Sequence, residues 1–245
     1  MGDPLGIGAE VVVKALADDS LRGRARFVVY GLHEQIAYAA DQAELTPYWI
    51  RRPHETALEF ERGVMIADFD EYSVDTCFRC KPTAEAGLAS IGFLEAAMRH
   101  AREGLIDAIV TGPINKTAWR QAGIEFAGHT ELLKEYFKAR RVTMMFIGGP
   151  LRVALASIHE PLFELRHSFT IGRVFQPIDL LHQALEDGFG VRSPRIAVAG
   201  LNPHASENGR FGDEEERIIR PAIEMARHVE IDATGPYPAD TLFRR

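Results

Sequence analysis

RIAVAGLNPH, residues 195–204, opens with the β-rich run Arg195–Ala199 and ends in a polar loop. A helical pattern follows over Asp213–His228, with Asp213, Glu214, Glu215 and Glu216 near its start. Acidic groups there suit the positive end of the helix dipole. The same order of strand, loop and helix recurs upstream. Arg26–Tyr30 (RFVVY) reads as a buried strand closed by Gly31, and Leu32–Leu45 then has helical spacing. Thr83–Glu103 is a long helix, and Ile106–Val110 (IDAIV) reads as a strand running into Thr111-Gly112-Pro113. Gly128–Ala139 and Phe169–Asp187 carry further helices. Val142–Ile147 and Leu151–Ile158 flank Gly148-Gly149-Pro150 and predict a hairpin. Such alternation predicts an α/β fold with a mainly parallel sheet. The change of character near residues 112–128 predicts two lobes, residues 1–112 and 113–245.

Composition narrows the function classes. The chain has 245 residues, 28 Lys+Arg against 35 Asp+Glu, a formal charge of −7 and 46% hydrophobic residues. That apolar share is ordinary for a globular protein, which excludes disorder as the main state. A net acidic chain without a basic run is a poor partner for nucleic acid or an anionic membrane. No apolar run approaches the roughly 18–20 residues of a membrane span, and no signal-peptide pattern opens the chain. Two cysteines cannot staple a fold of this size, so a cytoplasmic setting is expected.

The polar segments cluster just past predicted strands, where open α/β sheets bind ligands. Gly2-Asp3-Pro4-Leu5-Gly6-Ile7-Gly8 leads into a helix near Ala9. Its glycines allow close backbone approach, and a helix start attracts phosphate or carboxylate. It is neither GxGxxG nor a Walker loop. Such loops normally follow a strand, and none stands before Met1 here. Lys116, at the end of Thr111-Gly112-Pro113-Ile114-Asn115-Lys116, is either a solvated lysine or a partner for phosphate or carboxylate. His129 and Thr130 stand at a helix start, where they face an anion or where Thr130 simply caps the helix. His159 and His204 each follow a predicted strand. Neutral imidazoles suit a first-row divalent ion, yet catalytic zinc takes three protein ligands. His159-Glu160 is not HExxH, because Phe163 stands where the second His belongs. Cys77-Phe78-Arg79-Cys80 lacks the second pair of a zinc ribbon. No GxSxG elbow occurs.

Taken in order, GDPLGIGAE (2–10), TGPINK (111–116), AGIEFAGHTE (122–131), LRVALASIHEPL (151–162), GLNPHASENGRFGDEE (200–215) and GPYPADTLF (235–243) resemble the 4-hydroxythreonine-4-phosphate dehydrogenases of vitamin B6 synthesis. The resemblance runs along almost the whole chain. It implies a two-lobed fold like isocitrate and isopropylmalate dehydrogenases, in a homodimer with the active site at its interface. It also implies NAD or NADP and a divalent metal (Zn, Mg, Mn or Co). The reaction would oxidise the secondary hydroxyl of 4-phosphooxy-L-threonine to a β-keto acid, which loses carbon dioxide to give 3-amino-2-oxopropyl phosphate.

Position by position, the resemblance makes His159 and His204 two of three metal histidines, and His129 and Thr130 a substrate-binding pair. Asp240 would stand near the metal as a supporting or proton-handling group, and Lys116 is a further pocket candidate. No residue is assigned to the nicotinamide cofactor. The family's third metal histidine lies in a Tyr-His-Asp-Gln segment beyond Pro-Ala-Asp-Thr, with a Lys, an Asn and an Arg for the substrate after it, and Arg245 comes first. Leu5, Ala9 and Ser206 stand where Ala, Pro and Gly are usual. The expectation is therefore a piece of an active enzyme, with the first lobe short of strands. Rival readings are a non-catalytic remnant that binds metal or anions, a relative acting on phosphorylated threonate or erythronate or on a dihydrodiol, and a metal-assisted hydrolase.

Overall fold

The computed structural model describes residues 1–56 and 58–244. They divide into two compact units, Met1–Ala139 and Arg140–Arg245. The first holds α1 (Gly8–Leu16), α2 (Asp19–Arg22), β1 (Arg26–Gly31), α3 (His33–Gln42), β2 (Trp49–Pro53), β3 (Gly63–Asp68), α4 (Ala84–Arg102), α5 (Lys116–Gln121) and α6 (His129–Tyr136). The second holds β4 (Met145–Gly148), β5 (Leu151–Ala154), α7 (Leu165–Ser168), α8 (Ile171–Gln183), β6 (Arg195–Ala199), α9 (Arg220–His228), β7 (Asp232–Tyr237) and α10 (Ala239–Leu242).

In the first unit a parallel sheet runs in the order β1-β3-β2. Central β3 is buried along nearly its whole length, as a strand covered on both faces must be. Its last residue, Asp68, accepts from the backbone N–H of His33 at 2.7 Å and from Arg51 Nε at 2.7 Å. One buried carboxylate thus satisfies the start of α3 and ties β2 to it. Helix α4 begins at Thr83, whose hydroxyl accepts from Ala86 N at 3.2 Å, and its last turn carries Arg99, His100 and Arg102. Both ends therefore follow the capping and dipole preferences. Its buried face, with Ala89, Phe93, Ala96 and Ala97, repeats at helical spacing and lies on the core.

The expected strand Ile106–Val110 is not one: residues 106–110 form no ladder, and Val110 is 92% exposed. A strand needs a hydrogen-bonded neighbour, and the sheet β1-β3-β2 pairs with none of this segment, although Ile106 and Ile109 pack against its core. Strands β2, β3 and β7 escape the pattern reading. β2 carries two arginines and a proline, and β7 contains Gly235 and Pro236.

The contact boundary also falls later than the expected 112/113. Trp119 of α5 is fully buried and donates its indole N–H to Ser90 Oγ of α4 at 2.7 Å. With Leu94, Met98 and Leu132 it forms a cluster that holds α5 and α6 in the first unit.

The second unit contains the hairpin the sequence predicts, β4 antiparallel to β5, and a parallel pair, β6 with β7. Ile196 and Ala233 of that pair pack with Val174 and Ile178 of α8 and with Ala222, Ile223 and Ala226 of α9. The expected helix over 213–228 begins with a widened π-type turn, Glu215–Ile219, ahead of α9. Pro221, which lacks the N–H of a regular turn, stands just beyond it.

Candidate functional site

In the first unit, the loop before α1 lies backbone to backbone on the loop before α5. Asp3 N donates to Pro113 O at 2.8 Å. A Cβ on Gly2, whose φ is +80°, would stand 2.3 Å from Pro113 O, and one on Gly112 would stand 2.2 Å from Met1 O. Glycine is obligatory where two main chains approach so closely. Asp3 is buried, and its carboxylate accepts from Leu5 N at 2.9 Å. Burial nevertheless pushes its pKa up.

The same fold brings His129 to these loops. Met1, Gly2, Thr111, Gly112 and His129 share the lining of a cavity of about 40 Å³. The imidazole of His129 meets Trp119 edge-on at 5.9 Å between ring centroids. Burial lowers its pKa, and the positive charge of Lys116 lowers it further. His129 is therefore held neutral, able both to donate and to accept a hydrogen bond. Lys116 is exposed at the start of α5, where Asn115 Oδ1 accepts from Thr117 N at 3.0 Å and Ala118 N at 3.2 Å. The capping role that local sequence offers Thr130 is not realised. Gly128 occupies the cap of α6 without a side-chain bond, and Thr130 is the second residue of the helix.

In the second unit the strand expected over 151–158 stops at Ala154, and His159 stands exposed on the loop beyond it with φ of 52°. Its neighbour Glu160 is gripped from α8 and α7. Arg173 Nη2 reaches Oε1 at 2.5 Å, Nη1 reaches Oε2 at 3.1 Å, and Ser168 Oγ donates to Oε2 at 2.7 Å. Arg173 Nε also donates to Ala156 O at 3.2 Å, so one guanidinium spans the loop that carries His159. His204 is exposed beyond β6, with φ of 55° and its ring 6.3 Å from that of Phe211. Non-glycine residues seldom hold such a backbone, and those that do cluster at functional sites. Asp240 is exposed in the first turn of α10.

Sequence reasoning gave Glu215 only a helix-dipole role and gave Glu160 and Arg173 none. Their signal is tertiary: each is an ordinary charged residue until the fold sets it against a loop. Two exposed imidazoles suit two positions of a borderline divalent ion. Among the described residues no group of three His, Cys, Asp or Glu is placed to hold a metal. The donor type of His159 and His204 fits such an ion. No helix among the described residues is long and apolar enough to cross a membrane.

Comparison with known proteins adds a separate line. Residues 23–245 match the family model described as pyridoxal phosphate biosynthetic protein PdxA. The chain is 42% identical over 247 residues to a 4-hydroxythreonine-4-phosphate dehydrogenase of Geobacter metallireducens, covering 99% of this chain and 72% of that protein. It is 40% identical over 250 residues to a D-threonate 4-phosphate dehydrogenase of Cupriavidus necator, covering 100% of this chain and 74% of that protein. The crystal structure of 4-hydroxythreonine-4-phosphate dehydrogenase from Klebsiella pneumoniae superposes with a TM-score of 0.86 at 33% identity, over 100% of this chain and 74% of that one.

Proposed function

This chain belongs to the PdxA family of pyridoxal phosphate biosynthetic proteins, and from that premise we propose that it oxidises the secondary hydroxyl of 4-phosphooxy-L-threonine with NAD or NADP. It is a dehydrogenase of this family. The observation that carries the substrate reading is identity of about two residues in five along 99% of the chain to relatives of that name.

In the first unit, Lys116 supplies a cation for the substrate's phosphate or carboxylate. His129 adds a neutral imidazole that donates to one anionic oxygen, and Thr130 adds a hydroxyl to the same task. In the second unit, Asp240 takes the proton of the secondary hydroxyl as the carbon beneath it gives up its hydride. A bound nicotinamide would supply the redox chemistry as the acceptor for that hydride. The β-keto acid then loses carbon dioxide, and the carbon left behind takes a proton to give 3-amino-2-oxopropyl phosphate. Lys116 is the second proton-handling candidate. His159 and His204 would hold a divalent ion, which when bound stabilises an oxygen that gains negative charge. The working form is a homodimer, and the setting is the cytoplasm.

The D-threonate 4-phosphate dehydrogenase relative favours a second substrate, a phosphorylated threonate. The test is a panel of 4-phosphooxy-L-threonine, D-threonate 4-phosphate and D-erythronate 4-phosphate. Each is offered with NAD and with NADP, with and without Zn, Mg, Mn or Co ions, and the reduced nicotinamide is followed by absorbance. Reduction with the first substrate is expected, and it should stop when the metal is chelated. Reduction with D-threonate 4-phosphate alone moves the assignment to that acid. Metal binding without any reduction overturns the dehydrogenase reading of this chain in favour of a binding role.

A further inference from the structure

His204 opens a run without parallel elsewhere among the described residues. His204, Ala205, Ser206, Glu207 and Asn208 have φ of 55°, 52°, 65°, 48° and 57°. A left-handed backbone is sterically unfavourable for an L-residue, so five in succession persist only where the surroundings hold them. The strongest hold is Glu215, whose side chain is fully buried. Its Oε1 accepts from Leu201 N at 2.8 Å and Asn202 N at 2.7 Å, and its Oε2 accepts from Asn202 Nδ2 at 2.9 Å. All three bonds therefore go to the two residues ahead of Pro203 and His204. A second bond from Asn202 Nδ2, to Glu214 Oε2 at 2.7 Å, continues the clamp. The acceptor itself is fixed, because Glu215 opens the turn whose Ile218 and Ile219 enter the core of this unit.

We infer that Glu215 is a positioning residue: its buried carboxylate locks the peptides of Leu201 and Asn202 and so sets the direction in which His204 presents its imidazole. This rests on the reading of His204 as a metal ligand. The logic is that of groups behind a ligand, which fix its orientation without touching the ion. Glu160 does the corresponding work beside His159 through the guanidinium of Arg173.

The experiment compares Glu215→Asp, Glu215→Gln and the unaltered chain. Asp keeps the charge but shortens the reach by one methylene. Gln keeps the reach, and its carbonyl oxygen still accepts from both backbone N–H groups; the third bond is exchanged, since its Nε2 meets Asn202 Nδ2 donor to donor and Asn202 is left with Glu214 Oε2. Hydrogen exchange of the Leu201 and Asn202 amides, read by NMR, should quicken at least about tenfold in E215D and stay near the starting rate in E215Q, with α9 amides unchanged. Co2+ titration, followed by visible absorption, should weaken about tenfold in E215D, at the lower end for loss of such a partner. E215Q should restore it to within about threefold. Unchanged amide exchange in E215D, or equal loss of Co2+ binding in both variants, overturns the inference. Should E215D not fold, E215Q decides: retained protection and affinity support the clamp, and loss of either in a folded E215Q refutes it. If the unaltered chain takes up no Co2+, the ligand reading of His204 fails, and the two amides still report whether Glu215 holds the loop.

Discussion

Replacing Arg173 by Met removes a guanidinium and keeps the apolar stem that leads to it. The structure makes the loss specific. Two charge-assisted bonds to Glu160 and one bond to Ala156 O disappear, and Glu160 keeps only the Ser168 hydroxyl. The side chains are 27% and 19% exposed, so the pair stands between surface and core. Exposed pairs contribute about 0–1 kcal/mol, whereas stripping one partner from a buried pair costs about 3–5 kcal/mol. An intermediate loss of about 2 kcal/mol is expected, because water reaches the abandoned carboxylate in part. With a urea m-value of about 2 kcal/mol/M, the midpoint falls by about 1 M. Far-UV circular dichroism is the right probe. The two tryptophans, Trp49 and Trp119, both lie in Met1–Ala139, while Arg173 lies in the other unit. Glu160→Gln and the double variant complete a cycle whose coupling should be about 1–2 kcal/mol, within the range of interacting neighbours. A loss below about 0.5 kcal/mol with no coupling, the level of an indifferent surface site, would refute the claim that this pair fastens the loop of His159.

Other contacts of the protein set further outcomes. Trp119→Ala should destabilise Met1–Ala139 by about 3–5 kcal/mol, read by chemical denaturation, because a fully buried indole and its bond to Ser90 are lost together. His129 should protonate at lower pH than an ordinary imidazole, as NMR titration will read. The unfolded chain then binds the proton first. The stability this histidine contributes is full above its unfolded value of 6.5 and is lost as pH falls through it toward the depressed folded value. A flat denaturation midpoint across that range in the unaltered chain, relative to His129→Gln, would contradict it. Ser206→Gly should stabilise by about 1 kcal/mol in thermal or urea melts, since glycine holds a left-handed φ at no steric cost. His159→Ala and His204→Ala should each weaken Co2+ binding in calorimetry by at least about tenfold, against which His228→Ala is the unaffected control.

How much of this was legible beforehand depends on the range of each force. Helix α4 was readable almost to the residue, since Thr83, its alanines and its basic last turn are local signals. The β4–β5 hairpin was readable from Gly148-Gly149-Pro150. Ile106–Val110 misled because an apolar β-branched run is only half of a strand, the other half being a partner chain to bond with. The loops of His159 and His204 were readable because each histidine follows a predicted strand, and sequence likeness sharpened that reading. Their fastening to Arg173 and Glu215 was not, because a carboxylate's partner depends on burial and direction that no short window contains. The convergence of Gly2, Gly112 and His129 likewise needed the fold, since it joins segments more than a hundred residues apart.

The left-handed run from His204 to Asn208 also shapes how this protein can drift. At most exposed loop positions a substitution is screened by what the side chain touches. Here the backbone screens first. Changes toward Gly or Asn are open, while Val, Ile and Thr are closed whatever space surrounds them. The neighbourhood of His204 is therefore a ratchet with few exits, and a variant library built across it should return a narrow alphabet before any selection for activity is applied.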